Sequence, residues 1–111
     1  MIVINGDLLV EALERIKLPK SLKRKIMKPT VRHLMKQKCG NKAFLLPDEE
    51  KFPVMDPDTC QYDCRLIFAA YLRANEWKKK RPEYKKIAKK AAELYKKLGC
   101  EKKLGVKIRE Y

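Results

Sequence analysis

Two helix-forming stretches in tandem, residues 56–74 and 82–99, constrain this chain more than any other part of it. In the second, Tyr84, Ile87, Ala88, Ala91, Leu94, Tyr95 and Leu98 recur at steps of three and four, which lines them up along one stripe of a helix and leaves lysines on the opposite side. Pro82 suits the first turn, where its missing N–H has no intrahelical partner, and Gly99 can adopt the left-handed conformation that closes the far end. The first stretch opens on Asp56-Pro57-Asp58-Thr59, a favourable helix start, and would place Cys60, Cys64, Ile67, Phe68, Tyr71 and Leu72 on one broad face.

The remaining segments read as shorter elements. Met1–Ile4 is β-prone, and Asp7 can cap a helix carrying Leu8, Leu9, Ala12, Leu13 and Ile16 that ends before Pro19. Ser21 can cap a second short helix through Leu22, Ile26 and Met27; Pro29-Thr30 restarts the pattern toward Val31, Leu34 and Met35, and Gly40 ends it. Ala43–Leu46 and Lys51–Met55 flank a Pro-Asp turn and predict a hairpin, with Pro53 confining its strand to an edge. Val106 and Ile108 alternate with basic residues, as in a half-exposed strand able to pair with Ile2–Ile4. The expectation is a mainly α single domain over 1–111: a compact bundle of about four helices, a small hairpin and a short terminal strand pair. Its expected core includes Leu9, Leu13, Ile16, Leu34, Phe44, Leu66, Ile67, Phe68, Tyr71, Ile87, Ala91, Leu94 and Leu98.

Charge narrows the class of partner. Lys and Arg number 28 against 14 Asp and Glu, a net +14 at pH 7. Residues 1–41 carry 10 basic and 3 acidic groups, 42–72 carry 3 and 6, and 73–111 carry 15 and 5, so an acidic middle lies between two basic flanks. Such a surplus repels itself in a folded chain and is relieved by a polyanion or an acidic surface. The candidate contact residues are Lys20, Lys23, Arg24, Lys25 and Lys28 in one segment, Lys78, Lys79, Lys80 and Arg81 at the helix junction, and Lys85, Lys86, Lys89, Lys90, Lys96 and Lys97 on the second helix. Lysine far outnumbers arginine, and no exposed strand interleaves aromatic with basic residues, so the expected contact is to phosphate backbone and not to base edges. The bland counterpart is a solvated charged face.

The other chemistry-bearing residues point to less. Cys39, Cys60, Cys64 and Cys100 lack the paired C-x₂₋₄-C knuckles of most zinc sites; spacing puts Cys60 and Cys64 on one helical face, and the expectation is reduced, packed thiols in a reducing compartment, with disulfides or metal as alternatives. His33 has no identifiable partner. Asp48, Glu49, Glu50, Asp56, Asp58 and Asp63 offer oxygen ligands that a small metal-dependent enzyme would need, yet turns and caps account for them more simply. No Gly-rich phosphate loop, G-x-S-x-G or H-E-x-x-H occurs. A non-catalytic protein without a cofactor is expected. No apolar run approaches the roughly 20 residues that span a bilayer, and the first residues lack a signal-peptide pattern, so a soluble, unexported protein follows as an expectation.

Ala43-Phe44-Leu45-Leu46-Pro47, Lys51-Phe52-Pro53-Val54, Asp56-Pro57, Cys64-Arg65-Leu66-Ile67-Phe68-Ala69-Ala70 and Arg73-Ala74 together resemble a short segment of small uncharacterised tailed-phage proteins, also found near the ends of some phage head-morphogenesis proteins. That segment has a Phe-x-Leu-Pro turn, an aromatic-Pro-hydrophobic step and an Ala/Arg-rich helix. The resemblance covers about a quarter of the chain. It implies a virion or accessory setting, in host cytoplasm and particle, and transfers no catalytic residue; where the family helix often has His or Asn, this chain has Cys60 or Asp63. The expected function is thus a small basic structural or accessory protein of a phage particle touching nucleic acid or an acidic protein neighbour, with a capacity for self-association. A free nucleic-acid-binding regulator of the cytoplasm is the alternative.

Overall fold

A computed structural model describes residues 2–4 and 18–108. The elements run β1 (Ile2–Ile4), α1 (Lys20–Met27), α2 (Pro29–Cys39), a 3₁₀ turn at Asn41–Ala43, β2 (Phe44–Leu46), a 3₁₀ turn at Pro47–Glu49, β3 (Lys51–Pro53), α3 (Cys64–Trp77), α4 (Tyr84–Lys97), α5 (Cys100–Leu104) and β4 (Val106–Ile108). The mainly helical expectation holds, as does the hairpin: β2 and β3 pair antiparallel, Phe44 with Pro53 and Leu46 with Lys51. The terminal strands also pair, in parallel, with Ile2 opposite Val106 and Ile4 opposite Ile108. Parallel neighbours need a crossover connection, and here α1 to α5 and the hairpin all lie within it. The helix expected from Asp7 and its core residues Leu9, Leu13 and Ile16 lie outside the described residues.

The core is built on α3 and α4. Leu66, Ile67, Phe68, Ala70, Tyr71, Leu72 and Ala74 are buried from α3, and Tyr84, Ile87, Ala88, Ala91, Ala92 and Tyr95 from α4. Both helices bury alanines, Ala70 and Ala74 from α3 and Ala88, Ala91 and Ala92 from α4, and small side chains at a helix contact favour short interaxial distances. Leu94 and Leu98, expected inside, are half-buried and pack against this core from its edge. Phe52 and Val54 from the hairpin and Val106 and Ile108 from β4 complete it, while Lys107 points out, as the alternation predicts. Phe52 adopts φ +60, left-handed for a bulky residue, and its ring meets Tyr84 edge-on with centroids 5.0 Å apart. Such a conformation costs on the order of 1–3 kcal/mol, which this burial offsets. The Tyr95 hydroxyl donates to the Val106 carbonyl and ties α4 to β4; burial pushes its pKa up to about 12. Gly99, at φ +68, reverses the chain between α4 and α5 as expected.

A second, smaller cluster holds Met35, Ala43, Phe44 and Met55, with Cys39 at its edge. Leu34, expected in the core, is 62 % exposed. The reason is angular: Met35 and Cys39 face inward one turn apart, and Leu34 sits about 100° away on the outer side.

Further expectations are overturned. Asp56-Pro57-Asp58-Thr59 does not start α3. The Asp56 side chain accepts the Asp58 N–H at 2.8 Å and its carbonyl accepts the Cys60 N–H at 2.9 Å, closing a turn from which Cys60 leaves at φ +56, incompatible with a continuing helix. Asp63 caps α3 instead, accepting from the N–H groups of Arg65 (2.8 Å) and Leu66 (3.4 Å). Cys60 and Cys64 therefore share no helical face, and the thiols are not reduced: Cys39 is bridged to Cys60 and Cys64 to Cys100. Ser21 likewise lies inside α1, which begins at Lys20 after Pro19 without a side-chain cap.

Candidate functional site

The acidic middle is largely consumed within the fold. Asp58 receives Lys25 at 2.7 Å, and Lys38 donates to its carbonyl at 3.2 Å. Hydrogen bonding to Lys25, then its charge, holds the Asp58 carboxyl below the usual range, and Lys25 is raised in turn. Glu50 faces His33 at 3.1 Å, and Glu49 lies 3.4 Å from Lys51 and 4.0 Å from Arg81. Asp63 is a cap and Asp56 closes a turn. Among the described residues no three His, Cys, Asp or Glu side chains converge as a metal site requires.

The predicted basic residues divide by what surrounds them. Lys20, Lys23, Arg24, Lys25 and Lys28 are exposed on or beside α1, with Lys25 engaged by Asp58. At the junction, Lys78 donates to Asn75 at 3.3 Å, Lys80 lies over the Trp77 ring at 5.2 Å, and Arg81 pairs with Glu83 at 2.9 Å while stacking on Tyr84 at 4.9 Å. The hydrogen bond to Glu83 raises Arg81 further above its already high pKa. Lys78 and Arg81 thus serve the fold, and Lys79 and Lys80 stay exposed beside them.

On α4 the six expected lysines are all exposed, and helical geometry splits them into two rows. At about 100° per residue, Lys85, Lys89 and Lys96 fall within about 40° of each other, and Lys86, Lys90 and Lys97 within a second arc about 100° away. The first row borders a cleft of about 360 Å³ between α3 and α4, where Lys85 and Lys89 meet Tyr71, Asn75 and Lys78. Lys90 and Lys97 of the second border an open groove of about 430 Å³ between α4 and the hairpin. Lys90, Glu93, Leu94 and Lys97 form its helical wall; Lys42, Phe44, Leu45, Pro47 and Tyr62 form the other. Among the described residues no carboxylate lies within 4.0 Å of Lys42, Lys85, Lys86, Lys89, Lys90 or Lys97.

Lys42 and Tyr62 escaped sequence reasoning. Lys42 is isolated among apolar and turn residues, and Tyr62 lay within an expected helix. In the structure Tyr62 bridges to Met55, is 38 % exposed and lines the groove. Only the packing of the hairpin on α4 brings them together, and that is a long-range contact no local pattern encodes. No described helix is long and apolar enough to cross a membrane. No protein-family model, curated protein or solved structure is found to match this chain.

Proposed function

We propose that this chain is a small, basic, non-catalytic structural or accessory protein of a phage particle, holding nucleic acid through its phosphate backbone. The observation that carries the reading is α4: an amphipathic helix buried along one side and covered on the other by lysines, five of them with no described carboxylate in reach. Uncompensated ammonium groups at this density favour a polyanion, because each phosphate contact releases a condensed counterion. The two disulfides support a particle over a cytoplasmic regulator, since disulfides persist on virions and outside cells and are rare in reducing cytosol.

Salt-dependent binding tests the reading. Affinity for a generic duplex and a generic single strand should fall steeply from low to physiological salt, and Lys86→Glu with Lys90→Glu should flatten the log–log slope by about two. A flat response rejects phosphate contact; in that case capture of an acidic peptide would assign the same lysines to a protein neighbour. Co-sedimentation with assembled particles tests the setting, and recovery only as free protein rejects it.

A further inference from the structure

We infer that the groove between the hairpin and α4 is a docking site for single-stranded nucleic acid, with Tyr62 as a base-stacking platform and Lys42, Lys90 and Lys97 as phosphate contacts. The inference rests on the polyanion reading above and adds strand type and location to it. Three features distinguish this groove from the rest of the basic surface. Its rim carries three lysines against the single carboxylate of Glu93, and none of the three is paired with a carboxylate among the described residues. The walls between these lysines are apolar, with Leu45, Pro47 and Leu94 half-buried and Phe44 buried behind them. The groove's aromatic wall is a tyrosine that stays partly exposed although the adjoining backbone is fixed, by the Met55–Tyr62 bridge and by the Cys39–Cys60 disulfide two residues before it.

These features suit a strand with unpaired bases. A duplex keeps its base faces stacked inside and offers the surface only phosphates, so it gains from lysines but nothing from an apolar lining or an aromatic ring. A single strand presents both. Bases lie on the ring and the apolar lining while phosphates meet the rim, and every base has a face to stack, so the site tolerates any sequence. Lys90 and Lys97 are separated by about 10 Å along the helix, at 1.5 Å per residue, which spaces the contacts along a strand instead of at one point.

The test is fluorescence anisotropy of a labelled oligothymidylate and of a duplex of equal length, at matched low salt, with the full chain and its disulfides intact. Tyr62→Ala should weaken single-strand binding about 5- to 150-fold, the equivalent of about 1–3 kcal/mol per stacked base, and leave duplex binding unchanged. Tyr62→Phe keeps the ring and should retain affinity, which separates stacking from loss of structure, and circular dichroism of both variants controls for folding. Lys23→Glu, remote in sequence on α1, should weaken both ligands alike. If Tyr62→Ala changes neither ligand, or both equally, while binding stays salt-dependent, the groove assignment is wrong and the polyanion reading stands. If wild-type protein binds neither oligonucleotide at low salt, or binds polyglutamate in their place, both fall together.

Discussion

The α3–α4 half and the α1–α2 arm use the same chain chemistry to opposite effect. In the former, two 14-residue helices bury most of their apolar residues against each other, with the hairpin and β4 closing the sides. In the latter, α1 and α2 pack together but bury only Ile26 and Met35 between them, and Met27 and Leu34 are 59 % and 62 % exposed. Polar ties compensate. Arg32 donates to the Ile26 carbonyl and to the Glu50 carbonyl, joining both helices to the hairpin turn, and Lys25 and Lys38 hold Asp58. Exposed ion pairs of this kind contribute little, so the Cys39–Cys60 bridge carries much of the attachment. Each half carries one disulfide, but the α3–α4 half adds Cys64–Cys100 to a large core, whereas the arm relies on its bridge and polar ties with little core of its own.

The largest effect should follow from breaking the core. Phe68→Ala, at a position 1 % exposed, should destabilise the whole chain by about 3–5 kcal/mol in urea unfolding, whereas Leu34→Ala should fall within about 0.5 kcal/mol of wild type. Equal losses at the two sites would erase the distinction between the halves.

Next comes the staple. Replacing Cys39 and Cys60 together by serine opens a loop with sequence separation 21, for which chain entropy predicts a loss of about 3 kcal/mol. Amide exchange should locate that loss in α1 and α2 and leave α3 and α4 protected; uniform loss of protection would show that the arm and the core unfold as one unit.

The smallest effect sharpens the core's own boundary. Tyr95 must stay protonated to donate to Val106, and its folded pKa of about 12 lies above the unfolded value near 10. The stability this contributes is fully present below pH 10 and is lost as pH rises through 12, a total of about 2–3 kcal/mol. Tyr95→Phe should remove that alkaline dependence, so the gap between variant and wild type should shift over this range and be constant below it.

How much of this was legible in the sequence depended on the range of the interaction. α4 and its lysines follow from periodicity alone, Gly99 from its backbone freedom, and the β2–β3 hairpin from two apolar runs around Pro47-Asp48. Asp56–Thr59 misled because the signals that cap a helix also close an Asx turn, and only the hydrogen bond from Asp58 back to Asp56 decides between them. Leu34 misled because a short helix with few apolar residues leaves its inward direction to tertiary packing. The pairing of cysteines and the meeting of Lys42 and Tyr62 with Lys90 and Lys97 join segments far apart in the chain, and no local pattern specifies them.

The order of the bridges along the chain bears on how such a protein matures. Four cysteines admit three pairings, and the one found joins each cysteine to its next neighbour in sequence, Cys39 with Cys60 and then Cys64 with Cys100. The two loops follow one another and neither encloses nor interlaces with the other. Each crosslink can therefore close without waiting for its counterpart, and an error in one leaves the other free to be correct. In a growing chain Cys39 and Cys60 are both present before either cysteine of the second pair, so the order of synthesis itself favours the native connectivity over the two scrambled ones.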